Sequence, residues 1–311
     1  MIPPMKVSSI DFPNNFSNNL DLSWDLEAFK KNFNVVITKL TKLNIEFDFI
    51  GLDASIANSL RRYMLAEVPT MAIETVYVKY NDGIMADEVL AHRLGLVPLK
   101  VDPRQFEFST PGENPTDLNT LVFKLDAFCR KNTKALKDAV HPSEKYLNSS
   151  VYSSNLEWVP QGEQAEKFED VKAVDEDIIL TKMRPGQQIN LEMFAVKGVG
   201  QDHVKFSPIT KPGCYRLLPE IKILKPILNE EAKLFQSCFS KGVIDLVENN
   251  DGDLEAKVVN PRLDTVSRNV FMHPEFEVDV ESSGIYPPHV IVKEGLLGLI
   301  EKCKKIKEAL E

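Results

Sequence analysis

Hydrophobic residues in this chain fall into short periodic stretches that switch between a period of two and a period of three to four. Leu43, Ile45, Phe47 and Phe49 alternate with Asn44, Glu46 and Asp48, the pattern of a strand with one buried face. Gly51 ends it. In the segment SIANSLRRYMLAEV that follows, Ile56, Leu60 and Met64 recur at i, i+4 and i+8 with Ala57 and Leu65 beside them, which predicts an amphipathic helix. Asp53 or Ser55 is placed to cap its first N–H groups. Val68-Pro69 ends it, because proline disfavours helical geometry in the residue before it. Residues 71–80, rich in β-branched and aromatic side chains, read as a second strand. Asn81-Asp82-Gly83 then turns the chain into a second helix, ADEVLAHRLG, with Asp87 and Glu88 at its positive end and Gly95 as its C′ residue.

Beyond residue 100 the texture changes. Pro, Asn, Thr and Ser become frequent, and 121–129 alternates as a strand. Residues 178–183 and 188–197 read as a hairpin closed by Arg184-Pro185-Gly186-Gln187, with Pro and Gly at the second and third positions of a type II turn. Residues 230–239 form a candidate helix, and Phe276, Val278 and Val280 alternate as a short strand. After Pro287-Pro288, apolar residues fall at Val292, Leu296, Leu299, Cys303, Ile306 and Leu310. Spacings of four and three in turn make a heptad-like seam, which Ile291, Leu297 and Ile300 widen. Two uses fit such a helix equally: packing against the chain's own sheet, or pairing with a partner. The fold class expected is α+β, a patterned frame with a β-rich insertion. The boundaries are an N-terminal arm at 1–30, a discontinuous frame at 31–100 and 213–311, and an insert at 101–212.

Composition narrows the function classes. Among 311 residues, 37 Lys and Arg against 46 Asp and Glu give a formal net charge of −9. A protein that holds DNA through its own surface is normally basic, so little or no direct DNA contact is expected. No apolar run reaches membrane-spanning length, and the first residues lack the charged and apolar regions of a secretory signal. The four cysteines, Cys129, Cys214, Cys238 and Cys303, form no C-x-x-C pair, and the five histidines show no metal-ligand spacing. No cofactor or metal is expected.

Local motifs give weak signals for catalysis. Arg61-Arg62 could be a solvated face or a guanidinium clamp on a partner. Ala91-His92-Arg93-Leu94-Gly95 holds a histidine without a serine or cysteine nucleophile motif nearby. Gly198-Val199-Gly200 lacks the third glycine of a dinucleotide fingerprint and reads as a flexible turn. Asp175-Glu176-Asp177 reads as a solvated loop. A stand-alone α+β enzyme would need a clustered polar site, and none is visible.

Long strings point further. GLDASIANSLRRYMLAEVPTMAIETVYV and DEVLAHRLGLVPLKVDP, then LTKMRPGQQINLEMFAVKGVGQDHVKFSPIT, CYRLLPEI, NPRLDTVSRNV and VESSGIYPP, resemble in the same order the alpha-like subunits of multisubunit RNA polymerases. The resemblance spans residues 43 to 288. It implies a dimerisation domain of sheet and helices interrupted by a β-rich insert domain, and a non-catalytic assembly role. It also implies heterodimerisation with a small alpha-like subunit, docking of the second-largest subunit, and small zinc-bearing subunits joining the same platform in the nucleus and nucleolus. The chain is similar to the larger of the two alpha-like types. The absence of a four-cysteine zinc loop sets it apart from the polymerase II form and the absence of an iron–sulfur-type cysteine insertion from archaeal forms, which places it nearer the branch shared by polymerases I and III. On this resemblance Asn58, Arg61 and Arg62 are expected at an interface, with Glu88, His92 and Arg93 packed beside them. His203, Lys205 and Phe206 match a string near the large-subunit docking face. The seam Val292, Leu296, Leu299, Cys303, Ile306 and Leu310 is expected to carry pairing. The segment between Asn269 and Glu281 is shorter than the family's usual basic stretch.

Overall fold

The computed structural model describes residues 24–110, 114–133, 141–221, 223, 225–249, 252–260, 263 and 271–310, with the backbone alone at 143, 211–220 and 271–277. Most of the N-terminal arm (1–23) therefore lies outside the described residues, as do residues 269 and 270 of the shortened segment and the side chain of Cys214. The principal helices are α1 (Leu26–Asn32), α2 (Ala54–Ala66), α3 (Asp87–Gly95), α4 (Asn229–Ser237) and α5 (Pro288–Leu310). The principal strands are β1 (Asn34–Leu40), β2 (Asn44–Ile50), β3 (Thr70–Asn81), β4 (Thr120–Phe128), β5 (Ser150–Tyr152), β6 (Glu157–Val159), β7 (Ile179–Lys182), β8 (Gln188–Gly198), β9 (Ile209–Glu220), β10 (Ile244–Glu248), β11 (Leu254–Val258) and β12 (Phe271–Ser282). The chain divides into two units. One is Met1–Leu40, Ile45–Ser59 and Cys214–Asp279; the other is Thr41–Asn44, Leu60–Gly213 and Val280–Glu311.

Most of a four-stranded sheet of order β1-β2-β12-β9 belongs to the first unit. β1 pairs antiparallel with β2 from Asn34↔Ile50 to Leu40↔Ile45. Ile45, Phe47 and Phe49 are all buried, as the alternation requires, but Asp48 is buried as well and breaks the simple in–out pattern. β1 has no such signal: all seven of its residues are exposed, so no buried face shows in its sequence. α1 is capped by the Asp25 carboxylate, which accepts from the Glu27 N–H at 2.9 Å. Its Phe29 stacks on Phe33 at 5.1 Å, and Phe33 on Phe49 at 6.0 Å. A separate small core of Ala232, Val243, Ile244 and Ala256 holds α4 against the β10–β11 hairpin.

The second unit is built on an antiparallel sheet of order β3-β8-β4-β6. β8 lies in the centre, paired with β3 from Ile189↔Asn81 to Gly198↔Thr70 and with β4 from Gln188↔Phe128 to Val196↔Thr120. Its even alternation of buried and half-buried residues suits a strand with one face on a core. That core contains Met71, Ile73, Leu90, Leu94, Leu121, Phe123, Leu125, Ile189, Leu191 and Met193. The boundary expected at 100/101 runs through this sheet, since β3 precedes it and β4, β6 and β8 follow it.

Three further expectations need correction. The residues read as a hairpin do turn: Gln187 N–H donates to the Arg184 carbonyl at 3.1 Å, with Gly186 at φ +92°. The flanking strands nevertheless do not pair with each other, because β7 joins β5 and β8 joins β3 and β4. A local turn reverses the chain without dictating which strand each arm will meet. Ile56 is exposed, and the buried face of α2 is Ala57, Leu60 and Met64. Gly95 is the last helical residue of α3 rather than a left-handed C′, with Leu96 as a right-handed C-cap. The α+β class and the long C-terminal helix stand as read.

Candidate partner-binding surface

Within the second unit, α5 lies on the C-terminal half of α2 through small residues. A Cβ added to Gly295 would stand 2.7 Å from the Met64 Cγ and 3.1 Å from a Leu60 methyl, and one added to Gly298 would overlap the Tyr63 ring. Pro288, Ile291 and Gly295 are the buried residues of the helix. One turn further on, Lys302 forms an ion pair with Glu67, and its ammonium sits 5.3 Å over the Tyr63 ring. The inward face is therefore 288, 291, 295, 298 and 302, a heptad register displaced from the apolar seam. Burial against α5 is the leading cause that raises the Tyr63 hydroxyl above its ordinary value of 10.0.

The apolar seam runs along the flank of this covered face. Val292 and Leu299 are half-buried, while Leu296 is 44% exposed, Ile306 61% and Leu310 83%. Cys303 is also exposed, as are Leu297 and Ile300 beside the seam. A contiguous row of large apolar side chains left in water marks a contact surface. The sequence offered this face as either internal packing or pairing; the internal contact uses the adjacent glycine register instead. Two glycines in mid-helix cost stability unless packing requires them, and that was the signal by which Gly295 and Gly298 could have been found.

The second group of expected site residues gathers around the end of α3. The rings of His92 and His203 meet edge to face at 6.4 Å. His203 Nδ1 accepts from the Lys205 N–H at 3.1 Å, capping a single 3-10 turn, Val204–Phe206. Two residues assigned there to a docking face are internal. Lys205 reaches inward: its ammonium donates to the Ile73 carbonyl at 2.9 Å, pairs with Glu74, and stands 5.1 Å over the Phe206 ring. Phe206 is buried, and its carbonyl accepts from the Thr70 hydroxyl at 2.7 Å. The aliphatic stem of Lys205 is apolar enough to be covered while its head finds oxygen partners. Arg93, exposed at its side, donates from Nε to the Leu180 carbonyl at 2.9 Å and from its guanidinium to Ile179, so it fastens α3 to β7. His92, His203 and Glu88 are exposed. Gly198 and Gly200, read as a flexible turn, stand in close packing against the Phe206 ring and the Leu65 carbonyl.

On α2, Arg62 is exposed while Asn58 and Arg61 are half-buried. The Asp53 carboxylate, rather than Ser55, caps this helix by accepting from the Ser55 N–H at 2.8 Å. Among the described residues no three His, Cys, Asp or Glu side chains come together to hold a metal ion, and no helix is long and apolar enough to cross a membrane.

The long helix α5, with large apolar side chains left exposed, is seated on a second helix by a glycine register. Residues 46–303 match the RNA polymerase Rpb3/Rpb11 dimerisation domain, and the chain belongs to that family. It is 44% identical to the DNA-directed RNA polymerases I and III subunit RPAC1 of Bos taurus, over 98% of this chain and 92% of the relative. It is 43% identical to the subunit of the same name in Saccharomyces cerevisiae, over 97% and 94%. The likeness to the DNA-directed RNA polymerases II, IV and V subunit 3 of Arabidopsis thaliana is lower, 30% over 84% of this chain and 75% of the relative.

Lys205→Met retains the stem of the side chain but removes the donor to the Ile73 carbonyl. It is expected to cost about 1–3 kcal/mol, read from urea unfolding, with exposed surfaces unchanged. For Tyr63 the raised pKa means that the folded state holds the phenolic proton more tightly than the unfolded chain does. The stability tied to this proton is complete below pH 10.0 and is lost as pH climbs through the folded value. Tyr63→Phe should therefore flatten part of the alkaline loss of stability in a pH series of melting curves, leaving the acid side unchanged.

Proposed function

We propose that this chain is the larger alpha-like assembly subunit shared by RNA polymerases I and III. It is a non-catalytic scaffold of enzymes that make ribosomal RNA and small RNAs such as tRNA and 5S rRNA. The observation that carries the reading is the near-full-length likeness, 44% and 43%, to subunits named for both polymerases in an animal and a yeast, set against 30% for the subunit named for polymerases II, IV and V.

The division of labour proposed here follows from the surfaces. The seam of α5 pairs with the small alpha-like subunit, because Leu296, Ile306 and Leu310, with Leu297 and Ile300 beside them, leave large apolar side chains exposed along one helix. The second-largest subunit docks on α2, α3 and the turn at 203–206, with the exposed Arg62, Glu88, His92 and His203 and the half-buried Asn58 and Arg61 as candidates. Lys205 and Phe206 hold the platform's shape from within, and Arg93 fastens α3 to β7 from the surface. Small zinc-bearing subunits join the assembled pair. The dimerisation domain comprises the parts of the chain flanking an insert, and the insert begins before β3, because β3 shares a sheet with β4, β6 and β8. The subunit acts in the nucleus, with polymerase I work in the nucleolus.

The test is purification of a tagged chain from its own cells at moderate salt, with mass spectrometry of what accompanies it. Largest subunits of both polymerases I and III, together with a small alpha-like subunit, are expected. Recovery of polymerase II subunits alone would reassign the chain. Leu296→Asp with Leu299→Asp should remove the small subunit, and with it the large ones, while the variant keeps its helical circular dichroism. Intact pairing would show that the seam is not the interface.

A further inference from the structure

The charges around the seam of α5 are sorted by sign. With the seam at heptad positions a and d, the flanking e and g positions hold three charged residues, Lys293, Lys302 and Lys307, and no acid. The glutamates are elsewhere. Glu294, Glu301 and Glu308 recur every seventh residue at f, the position turned furthest from the seam. Two of them have partners within the chain: Glu301 pairs with Lys305 at 2.8 Å, and Glu294 faces Arg104 at 3.6 Å. Lys302, on the side toward α2, is held by Glu67.

Charges at flanking positions choose partners more than they add affinity. The g row, Pro288, Gly295 and Lys302, lies on the side covered by α2, which leaves the e row as the flank open to a second helix. Two copies packed antiparallel set e against e and bring Lys293 and Lys307 of one toward those of the other. An acidic flank on another chain meets no such conflict. We infer that the seam of α5 selects a helix of a different chain bearing Asp or Glu at the positions flanking its own apolar row, and that the lysine flank keeps this chain from pairing with itself. The inference rests on the reading of the seam as the dimer interface, and it supplies the rule by which that interface accepts one partner and refuses a second copy.

The experiment uses the full chain and, as probe, the small alpha-like polymerase subunit of the same cells. Lys293→Glu with Lys307→Glu, two exposed positions, should weaken binding about tenfold at low salt. The affinity of the unaltered chain should fall with added salt, and that of the variant should fall less or rise. In sedimentation equilibrium the unaltered chain alone should remain a monomer at concentrations that saturate the heterodimer. Unchanged binding by the lysine variant, or self-association of the unaltered chain as tight as its pairing with the small subunit, overturns the inference. Leu296→Asp with Leu299→Asp in the same assay separates the two ideas. If it abolishes binding while the lysine variant is silent, the seam is the interface and the charge rule is wrong. If it binds normally, the interface reading falls and takes the charge rule with it.

Discussion

The face that α5 shows to solvent is decided by how closely its other face approaches α2, and that approach depends on two residues without a Cβ. At Gly295 and Gly298 any larger side chain would meet Met64 or the Tyr63 ring. The contact gains in packing what the helix loses in backbone entropy at two glycines. It also fixes the rotation of α5 about its axis: with Gly295 and Gly298 toward α2, Leu299 stands half-buried at the edge of the contact and Leu296 and Leu297 are left in solvent. The packing contact on one face thus decides which apolar side chains the helix leaves in solvent.

A different economy holds the end of α3 in place. Lys205, Arg93 and Thr70 are polar side chains that satisfy backbone carbonyls of neighbouring segments rather than one another. Backbone oxygens that would otherwise be left without donors at a strand end or loop are costly to bury. A long cationic side chain solves this from a distance, joining elements far apart in sequence. Such residues look like surface charge when the chain is read in one dimension, and Lys205, expected at a docking face, turns inward for this reason.

The parts of the fold that were legible in the sequence are those whose signal is local and one-sided. The strand ending at Phe49, α2, α3 and α5 each carry an apolar repeat of the right period, and their existence and approximate limits could be read directly. Where the signal is two-sided or absent, reading failed. β1 buries none of its residues and so has no alternation to detect. Arg184-Pro185-Gly186-Gln187 is a genuine turn, but strand partnership is settled by distant residues, so β7 and β8 part company after it. The candidate surface was half legible. The heptad spacing identified the seam, yet which of two neighbouring registers would be covered followed from Gly295 and Gly298 meeting Tyr63 and Met64, residues more than two hundred positions earlier.

The central strand of the second unit's sheet has a consequence for how the chain comes into being. β3 is paired with β8 along its length, from Asn81↔Ile189 to Thr70↔Gly198, so during synthesis β3 leaves the ribosome more than a hundred residues before the strand that will cover its edge. Throughout that interval Met71 and Ile73, fully buried in the finished unit, have no partner strand, and an uncovered apolar edge invites the wrong one. Closing so long a loop is the slow kind of step in folding. The edge of β3 is therefore covered only once residue 198 has been made, so the sheet of this unit is completed late in the order of synthesis.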